Sequence, residues 1–380
     1  LATIDIYFIE DTHDTSYLYY LNCAVKISTE GTISIDYIDL GGYVWKEHVI
    51  DRNFHECEFE DCDFLKFVYN ICNQDEKRIA SMESTLGYLQ HGYKNLSYCP
   101  AVILNDEVIS DNPEGGTGKG LLMNAISHMK KLVVIDGKAF AFERSFPYQT
   151  VLCFDDVKKG FDFERLFSVV TEGLTLEKKN KDAIKIPFDK SPKIAITTNY
   201  AIKGAGNSFV RRKWELELHP HYNKNNTPLL EFGKHFFADW DDVDWCKFDN
   251  YMIHSLVSYL NKGLVKSSFI NQNIRQLGAD TSHEFIEWCG VINPTEVGNP
   301  FLELHIKNHT NDMYTDFVTE YPDYVRNVKM SLSRQKFHRW VELYAKFKYG
   351  VAPEVGRDKV GKWVRMKPKH EYEVQSSLSL

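Results

Sequence analysis

The sequence predicts a mixed α/β protein with a mostly parallel central sheet. The first observation is a series of five short apolar segments: AVILND (101–106), KLVVIDG (131–137), TVLCFDD (150–156), KIAITTN (193–199) and KWELELH (213–219). Strands that are apolar along their whole length are typical of sheets covered on both faces, which are mostly parallel. The second observation is a glycine-rich segment directly between one of these strands and a helical pattern. The third is a basic, helical C-terminal segment.

The composition is that of a globular protein with several domains. The chain has 380 residues, of which 43% are hydrophobic and 26% charged, values that are ordinary for soluble proteins. No apolar run reaches the roughly 18 residues that a membrane span needs, and no signal peptide is recognisable. We therefore expect a cytoplasmic protein without a membrane partner.

The eight cysteines show no paired pattern typical of a metal site. The densest cluster is HECEFEDC, which contains His55, Cys57 and Cys62. A zinc site would need a second ligand pair, and none follows. The sequence thus favours reduced, partly buried thiols.

The N-terminal hundred residues change pattern once. Residues 1–50 contain SYLYYLNCAVKIS and TISIDYIDL, with T-E-G between them as a hairpin turn, and they predict strands. Residues 51–99 show helical spacing, and we expect them to form a small helical module. The predicted division then continues with a core at 100–265, a connector at 266–310, a compact basic unit at 311–370 and a tail at 371–380. No function follows from residues 1–50.

Residues 112–120, NPEGGTGKG, predict a phosphate-binding loop. They lie between the strand AVILND and the helical segment GLLMNAISHMKK. Glycines let backbone amides turn inward around an anion, and the helix N-terminus adds its dipole. We expect Lys119 to reach the β- and γ-phosphates of ATP. The predicted ATP-binding residues are Glu114, Gly115, Gly116, Thr117, Gly118, Lys119, Gly120 and Leu121.

The loop departs from the usual G-x-x-x-x-G-K-[ST] pattern at two positions. Pro113 stands at the first glycine position, and Gly120 replaces the Ser or Thr that supplies a direct Mg²⁺ ligand. The amides and the lysine remain. How the metal is held without that hydroxyl stays open.

Polar residues at the ends of two later strands complete the candidate catalytic set. Asp155 and Asp156 end TVLCFDD, where one carboxylate would hold Mg²⁺ and the next would polarise the attacking water. Asn199 ends KIAITTN and is placed to orient that water. Arg211 and Arg212 precede the last strand, where an arginine of a ring ATPase can reach the neighbouring subunit's γ-phosphate. The sequence does not distinguish the two.

These motifs, in this order, resemble superfamily 3 helicases, in particular the poxvirus and phage primase-helicase branch. The resemblance covers residues 60–220 well, including ASMESTLGYLQHGYKN (80–95), and extends more loosely to 370. It implies an AAA+ core with strand order 5-1-4-3-2 and a hexameric ring moving 3′ to 5′ on single-stranded DNA. It also implies ATP and Mg²⁺ as cofactors, a primase domain or protein as a partner, and a bacterial host cytoplasm as the location.

The same resemblance assigns DNA contacts to a basic segment inside the ring. Here that segment is EGLTLEKKNKDAIKIPFDK (172–190), with Lys178, Lys179 and Lys181 as candidates. Lysines that contact phosphates without reading bases suit a motor that ignores sequence. A solvated charged turn is the alternative.

The C-terminal unit predicts a winged helix-turn-helix. Residues 326–369 carry thirteen Lys and Arg against three Asp and Glu, which indicates a polyanionic partner. The unit begins with an amphipathic helix capped by Asn311. A basic helix from Ser333 to Gly350 and then a basic β-ribbon follow. A face that docks on the acidic remainder of the chain is the alternative. The candidate DNA contacts are Arg334, Lys336, Arg339, Arg357, Lys359 and Lys362.

Three functions are compatible with these features. The first is a replicative, ATP-dependent ring helicase of a phage or mobile element, acting on single-stranded and forked DNA. The second is a DNA-binding or origin-recognition protein without motor activity that uses ATP as an assembly switch. A clamp loader or transcription-activating AAA+ protein is a third and weaker hypothesis.

Overall fold

The computed structural model divides the chain into two compact units, residues 1–270 and 271–380. It describes residues 6–109, 115–136, 151–158, 160–176, 184–200, 202, 207–267, 271–292, 298–327 and 330–369. Within these ranges, no helix combines the length and the hydropathy that crossing a bilayer requires. The two units are described one at a time.

The first unit opens with a four-stranded sheet of order β3-β2-β1-β4. Its strands are β1 (Thr15–Tyr20), β2 (Ala24–Ser28), β3 (Gly31–Ile35) and β4 (Val49–Ile50). The first three are antiparallel neighbours, and β4 runs parallel to β1. The hairpin predicted between β2 and β3 is confirmed. The predicted segment SYLYYLNCAVKIS is divided into β1 and β2, and TISIDYIDL is a strand only as far as Ile35.

The helical module predicted between 51 and 99 is a pair of helices. They are α1 (Asp63–Ile71) and α2 (Glu76–Gln90). The Asp75 side chain caps α2 by accepting a hydrogen bond from the amide of Arg78. The apolar face of α1 predicted from helical spacing is buried in the unit's core.

The central sheet has five strands, all parallel, in the order β11-β5-β10-β7-β6. Along the chain the elements are β5 (Ala101–Asp106), α3 (Lys119–Ser127), β6 (Leu132–Asp136), β7 (Val151–Val157), α4 (Phe167–Thr171), β8 (Gly173–Leu176), β9 (Ile184–Pro187), β10 (Lys193–Thr198), α5 (Asn207–Val210) and β11 (Lys213–Leu218). Two further helices follow, α6 (Pro228–Phe232) and α7 (Asp242–Lys262). The prediction of a mixed α/β fold with a parallel sheet is confirmed, and the sheet is consistent with a P-loop-like core.

Apolar side chains cover both faces of this sheet, as its uninterrupted strands predicted. Along β5, Val102 and Leu104 join a core that includes α1, α2, α3 and α7. Ala101 and Ile103 join the opposite core, to which α4 contributes Val169 and Val170. Because the five strands are parallel, their polar carboxyl ends meet at one edge of the sheet. The candidate site lies at this edge.

One disulfide differs from the prediction that the cysteines are reduced. Cys57, in the segment before α1, is bonded to Cys246 on α7, 189 positions later. The other six cysteines are free. The pairing could not follow from spacing, because it arises where α7 packs back on residues 54–62. In the same region, the side-chain amide of Asn250 on α7 donates a hydrogen bond of 2.8 Å to the carbonyl of His55.

The second unit contains helices and a three-stranded antiparallel sheet of order β12-β14-β13. Its elements are α8 (Gln272–Asp280), α9 (His283–Trp288), β12 (Lys307–His309), α10 (Thr310–Glu320), α11 (Asp323–Arg326), α12 (Arg334–Tyr349), β13 (Glu354–Arg357) and β14 (Lys362–Arg365). The predicted connector, 266–310, supplies part of this unit's core. Phe285 on α9 packs against Phe317 and Trp340.

The ends of α12 confirm two predicted caps, and α10 corrects a third. The Ser333 hydroxyl accepts a hydrogen bond from the amide of Lys336 at 3.2 Å, and Gly350 ends α12 at φ +78°. Asn311 is not a cap. Helix α10 begins at Thr310, one residue earlier, and His309 precedes it without a capping side chain.

Candidate nucleotide-binding site

A glycine turn joins the loop after β5 to the first residue of α3. Gly115, Gly116 and Gly118 have φ values of +71°, +82° and +107°. Positive φ values at glycines occur in the turns that direct backbone amides toward a bound anion. Lys119, Gly120 and Leu121 form the first helical turn. Of the predicted phosphate-binding residues, Glu114 lies outside the described part of the chain.

Gly118 is required by packing as well as by its φ. A Cβ atom at this position would lie 2.6 Å from Cζ of Phe67 on α1. A side chain would therefore collide with an aromatic ring that is itself fully buried. The helical module thus forms one wall of the candidate phosphate loop.

The Lys119 ammonium lies where three elements meet. It donates a hydrogen bond of 2.6 Å to Oδ1 of Asn199, just after β10. It also contacts the Thr117 hydroxyl at 3.3 Å and the carboxylate of Asp106. The structure therefore brings together Thr117, Lys119 and Asn199, three residues of the predicted site.

Asp106 was missed by the sequence analysis. It is the last residue of β5, is 5% exposed, and accepts hydrogen bonds from the Thr117 hydroxyl and Lys119. A signal was present in the sequence: AVILND ends in a carboxylate, as TVLCFDD does, and both strands belong to the same sheet.

The carboxylates of Asp155 and Asp156 take different directions. Both are exposed at the end of β7. Asp155 Oδ1 accepts a hydrogen bond of 2.6 Å from the hydroxyl of Thr197, which is buried on β10. Asp156 has a φ of +47°, and its carboxylate pairs with Lys158 at the surface. Thr197 is a second residue that the sequence analysis missed.

The residues present suit Mg²⁺ in part. Carboxylate oxygens such as those of Asp155 are the ligands that Mg²⁺ prefers, usually alongside phosphate oxygens and water. No group of three or more His, Cys, Asp or Glu side chains in the described ranges is arranged to hold a metal ion. A Mg²⁺ ion here would accordingly take most of its ligands from nucleotide and water.

Position 120 has space for a larger residue. A Cβ atom built on Gly120 would meet no atom within 4 Å, and its φ lies outside the left-handed region. Gly120 is also exposed at the start of α3. Neither packing nor backbone conformation excludes a hydroxyl side chain there.

The two candidate arginines differ in their surroundings. The Arg212 guanidinium donates to the carbonyl of Ser208 at 2.9 Å and lies 4.6 Å from the centre of the Phe167 ring. Burial, followed by the charge of Arg211, lowers the pKa of Arg212. The side chain of Arg211 is exposed at the turn before β11.

An antiparallel pair of strands flanks the segment that was predicted to form a basic hairpin. Strand β8 pairs with β9 in the register Gly173 to Pro187. The candidate residues Lys178, Lys179 and Lys181 lie outside the described part of the chain. Lys185 on β9 is exposed.

The second unit carries the remaining candidate DNA contacts on its surface. All six are exposed, three on α12 and three on or between β13 and β14: Arg334, Lys336, Arg339, Arg357, Lys359 and Lys362. The opposite side of α12 buries its apolar residues, namely Phe337, Trp340, Val341 and Tyr344. The predicted polarity of this helix is confirmed.

No protein-family model matches the chain, and no curated protein matches it. Among solved structures, the apo C-terminal region of NrS-1 is similar at a TM-score of 0.40 and 11% identity, covering 93% of this chain and 97% of that one. JCV helicase is similar at a TM-score of 0.30 and 11% identity, covering 58% of this chain and 65% of that one. At these TM-scores and identities, the similarity carries no argument about function.

Proposed function

We propose that this chain is an ATP-dependent DNA helicase that acts as a ring on single-stranded DNA. One observation carries the proposal. The Lys119 ammonium stands at the start of a helix, after a turn of positive-φ glycines, and bonds to Asn199 at the end of a neighbouring parallel strand. A lysine at a helix N-terminus, next to glycines whose backbone can turn amides toward an anion, suits a triphosphate.

The sheet supports an AAA+ core. When its strands are counted along the chain, the order β11-β5-β10-β7-β6 corresponds to 5-1-4-3-2. This is the order that the resemblance to superfamily 3 helicases implies. The antiparallel pair β8 and β9 lies between β7 and β10 in the chain, where that resemblance places a DNA-contacting hairpin.

Each polar residue at the strand edge has a role in this proposal. Lys119 and the amides of 115–118 bind the phosphates, and Asp155 holds Mg²⁺, which would neutralise phosphate charge. Asn199 orients the attacking water, while Asp156 prepares it. The exposed pair of Asp156 with Lys158 has to open for that step, at small cost because it is half-exposed to water.

Arg211 is the better candidate to act on a neighbouring subunit. Its exposed side chain is available for a partner, whereas the guanidinium of Arg212 is engaged by Ser208 and Phe167 within its own subunit. This role requires a ring, for which we propose a hexamer.

DNA contacts are assigned to two basic surfaces. The lysines at 178, 179 and 181 would grip one strand inside the ring. Helices α10 to α12 with the sheet β12-β14-β13 would form a winged helix that contacts forked DNA through α12 and the β13–β14 ribbon. A primase domain or protein would be a partner, in the cytoplasm of a bacterial host.

A second function has one observation in its favour. Gly120 leaves the first turn of α3 without a hydroxyl, which weakens the metal site. A chain that binds ATP but hydrolyses it slowly could be a DNA-binding or origin-recognition protein that uses ATP as an assembly switch.

The test compares the wild type, Lys119→Ala and the control Lys131→Ala, an exposed lysine just before β6. Nucleotide binding, ATP turnover with and without single-stranded DNA, and unwinding of a forked duplex are measured. A helicase binds ATP, is stimulated by DNA and unwinds the fork, and only Lys119→Ala loses these activities. Binding without DNA stimulation or unwinding supports the switch. Unchanged turnover in Lys119→Ala would end the assignment of the site.

A further inference from the structure

We propose that Asp106 is a positioning residue that makes nucleotide binding at this loop depend on a divalent cation. The proposal rests on the nucleotide-binding function given above and adds a residue to that site. Asp106 acts through the negative charge that it holds beside Lys119, the group that the phosphates need.

The position of Asp106 is fixed by the sheet. Its backbone is paired with Leu218 on β11, and the amide of the next residue, Glu107, donates to the Leu218 carbonyl at 2.8 Å. The residue is 5% exposed, so water screens its carboxylate poorly. The carboxylate therefore stays at the base of the loop when a ligand arrives, apart from side-chain rotation.

The contacts of Asp106 couple the strand to the loop. Its Oδ1 accepts hydrogen bonds from the Thr117 hydroxyl and the Lys119 ammonium. Lys119 also donates to Asn199 Oδ1. In this arrangement the charge of Lys119 is balanced by the protein itself. Its acceptors include Asp106 at the end of β5 and Asn199 just after β10.

A triphosphate changes the balance of charge at this point. Its oxygens compete with Asp106 for Lys119, and they bring further negative charge close to a poorly hydrated carboxylate. Like charges at such separations repel strongly where water is scarce. A divalent cation removes most of that repulsion by neutralising the phosphates, so metal and nucleotide should bind cooperatively.

Gly120 makes this charge more important. In a loop with Ser or Thr after the lysine, the hydroxyl ties the metal to the first helical turn. Here that group is missing although there is space for it. The negative charge of Asp106 repels metal-free triphosphate, and a bound cation reduces this repulsion. Nucleotide binding can therefore depend on the metal even without that hydroxyl.

A purely structural role for Asp106 predicts something different. If the carboxylate only fixes the loop through Thr117, then a neutral acceptor at 106 would keep the loop in place. Affinity would then change little, or equally with and without metal. Only the charge-based role changes the ratio between the two affinities.

The experiment measures this ratio by calorimetry. The dissociation constant of ATP is determined with excess Mg²⁺ and with EDTA for the full chain, for Asp106→Asn, and for the control Glu107→Gln. The control removes the same charge from the adjacent residue, which pairs with Arg78. We expect Asp106→Asn to bind metal-free ATP at least about tenfold more tightly than wild type and to show a metal effect about tenfold smaller. Glu107→Gln should keep the wild-type ratio.

Two further variants separate charge from contact. Thr117→Val removes the hydroxyl that bonds to Asp106 but keeps the charge, so it should keep the metal effect even if affinity falls in both conditions. Asp106→Ser replaces Asp106→Asn if the latter unfolds. The proposal is overturned if the ratio of the ATP dissociation constants with EDTA and with Mg²⁺ in Asp106→Asn or Asp106→Ser stays within about twofold of the wild-type ratio. Absence of ATP binding by the wild type in both conditions would instead overturn the nucleotide-binding function itself.

Discussion

The hydroxyl of Thr197 donates a hydrogen bond of 2.6 Å to Oδ1 of Asp155 and accepts one of 2.8 Å from the amide of Asp156. Both bonds cross from β10 to β7 where the pairing of these strands shifts in register, between Ile196 and Thr198. Asp156 has its positive φ at the same place. One buried hydroxyl thus sets the direction of the first carboxylate and holds the backbone of the second.

Removing this hydroxyl should reduce Mg²⁺-dependent ATP turnover. Thr197→Val keeps the shape of the side chain, but it loses a hydrogen bond to a charged group, which is worth about 1.5–3 kcal/mol. We expect turnover to fall roughly 10- to 100-fold, with a higher Mg²⁺ concentration needed for half-maximal rate. Thr197→Ser should restore most of the activity.

The control is Thr171→Val on α4. The exposed Thr171 hydroxyl donates a hydrogen bond of 2.8 Å to the Phe167 carbonyl of its own helix. Steady-state rates at several Mg²⁺ concentrations decide the matter. Equal losses in Thr197→Val and Thr197→Ser would show that the hydroxyl is not the cause.

Substitutions at two glycines of the loop should have opposite outcomes. Gly120→Ser meets no neighbouring atom and adds the hydroxyl that the usual loop carries, so turnover should stay intact or rise. Gly118→Ser places a side chain at φ +107° and against Phe67, so nucleotide binding should be lost. Binding and turnover assays on folded protein check both. A large loss in Gly120→Ser would reveal a steric role for that glycine.

The stability of the first unit should depend on pH through His91. Burial, together with Lys193 and Lys130 and against the effect of Asp11, lowers the pKa of His91 to about 4. Its Nε2 bonds the carbonyl of Thr12 at 2.8 Å. Since the folded pKa lies below the unfolded one, the neutral form is favoured in the fold. The contribution of neutral His91 to the free energy of unfolding is fully present above about pH 6.5, and it is lost as the pH falls towards 4.

Replacing this histidine should flatten that dependence. The free energy of unfolding falls between pH 7 and pH 4 in both proteins. In His91→Gln this decrease should be smaller than in wild type by on the order of 2–3 kcal/mol. The glutamine amide can still donate to the Thr12 carbonyl. Urea unfolding at a series of pH values measures the difference. Parallel curves for the two proteins would rule out His91 as the titrating group.

The cysteines should fall into two classes. Unfolded without reductant, the chain should show six reactive thiols, and after reduction eight. Because the bond joins residues 189 apart, reduction should lower the free energy of unfolding by about 3–5 kcal/mol. Cys246→Ser should lose the same amount and show no further effect of reductant. Eight thiols without reduction would exclude the disulfide.

The sequence predicted the scaffold better than its long-range contacts. The apolar runs of β5 and β7 identified a sheet covered on both sides, because a strand buried on both faces has apolar residues at consecutive positions. The acidic end of β5 was visible in the sequence, but the contact of Asp106 with Lys119 escaped because it depends on Lys119 folding back onto the strand that precedes the loop. The pairing of Cys57 with Cys246 escaped for the same reason, since it depends on α7 returning to the start of the chain.

Local capping was predicted well where one residue decides it. Ser333 and Gly350 limit α12 as expected. At α10, the helix begins at Thr310 because its first residues follow directly from β12, and Asn311 is already inside. Tertiary context, rather than the side chain with the best intrinsic preference, sets that boundary.

The contact of Phe67 with Gly118 has a consequence for dividing this protein into parts. The turn that would hold phosphate is shaped from outside by the ring of Phe67 on α1, 51 positions before Gly118. A fragment that begins at the central sheet would leave that turn without its backing, and the same would hold if the loop were grafted onto another protein. The two helices before the sheet are thus part of the minimal unit that any dissection or transplant must carry.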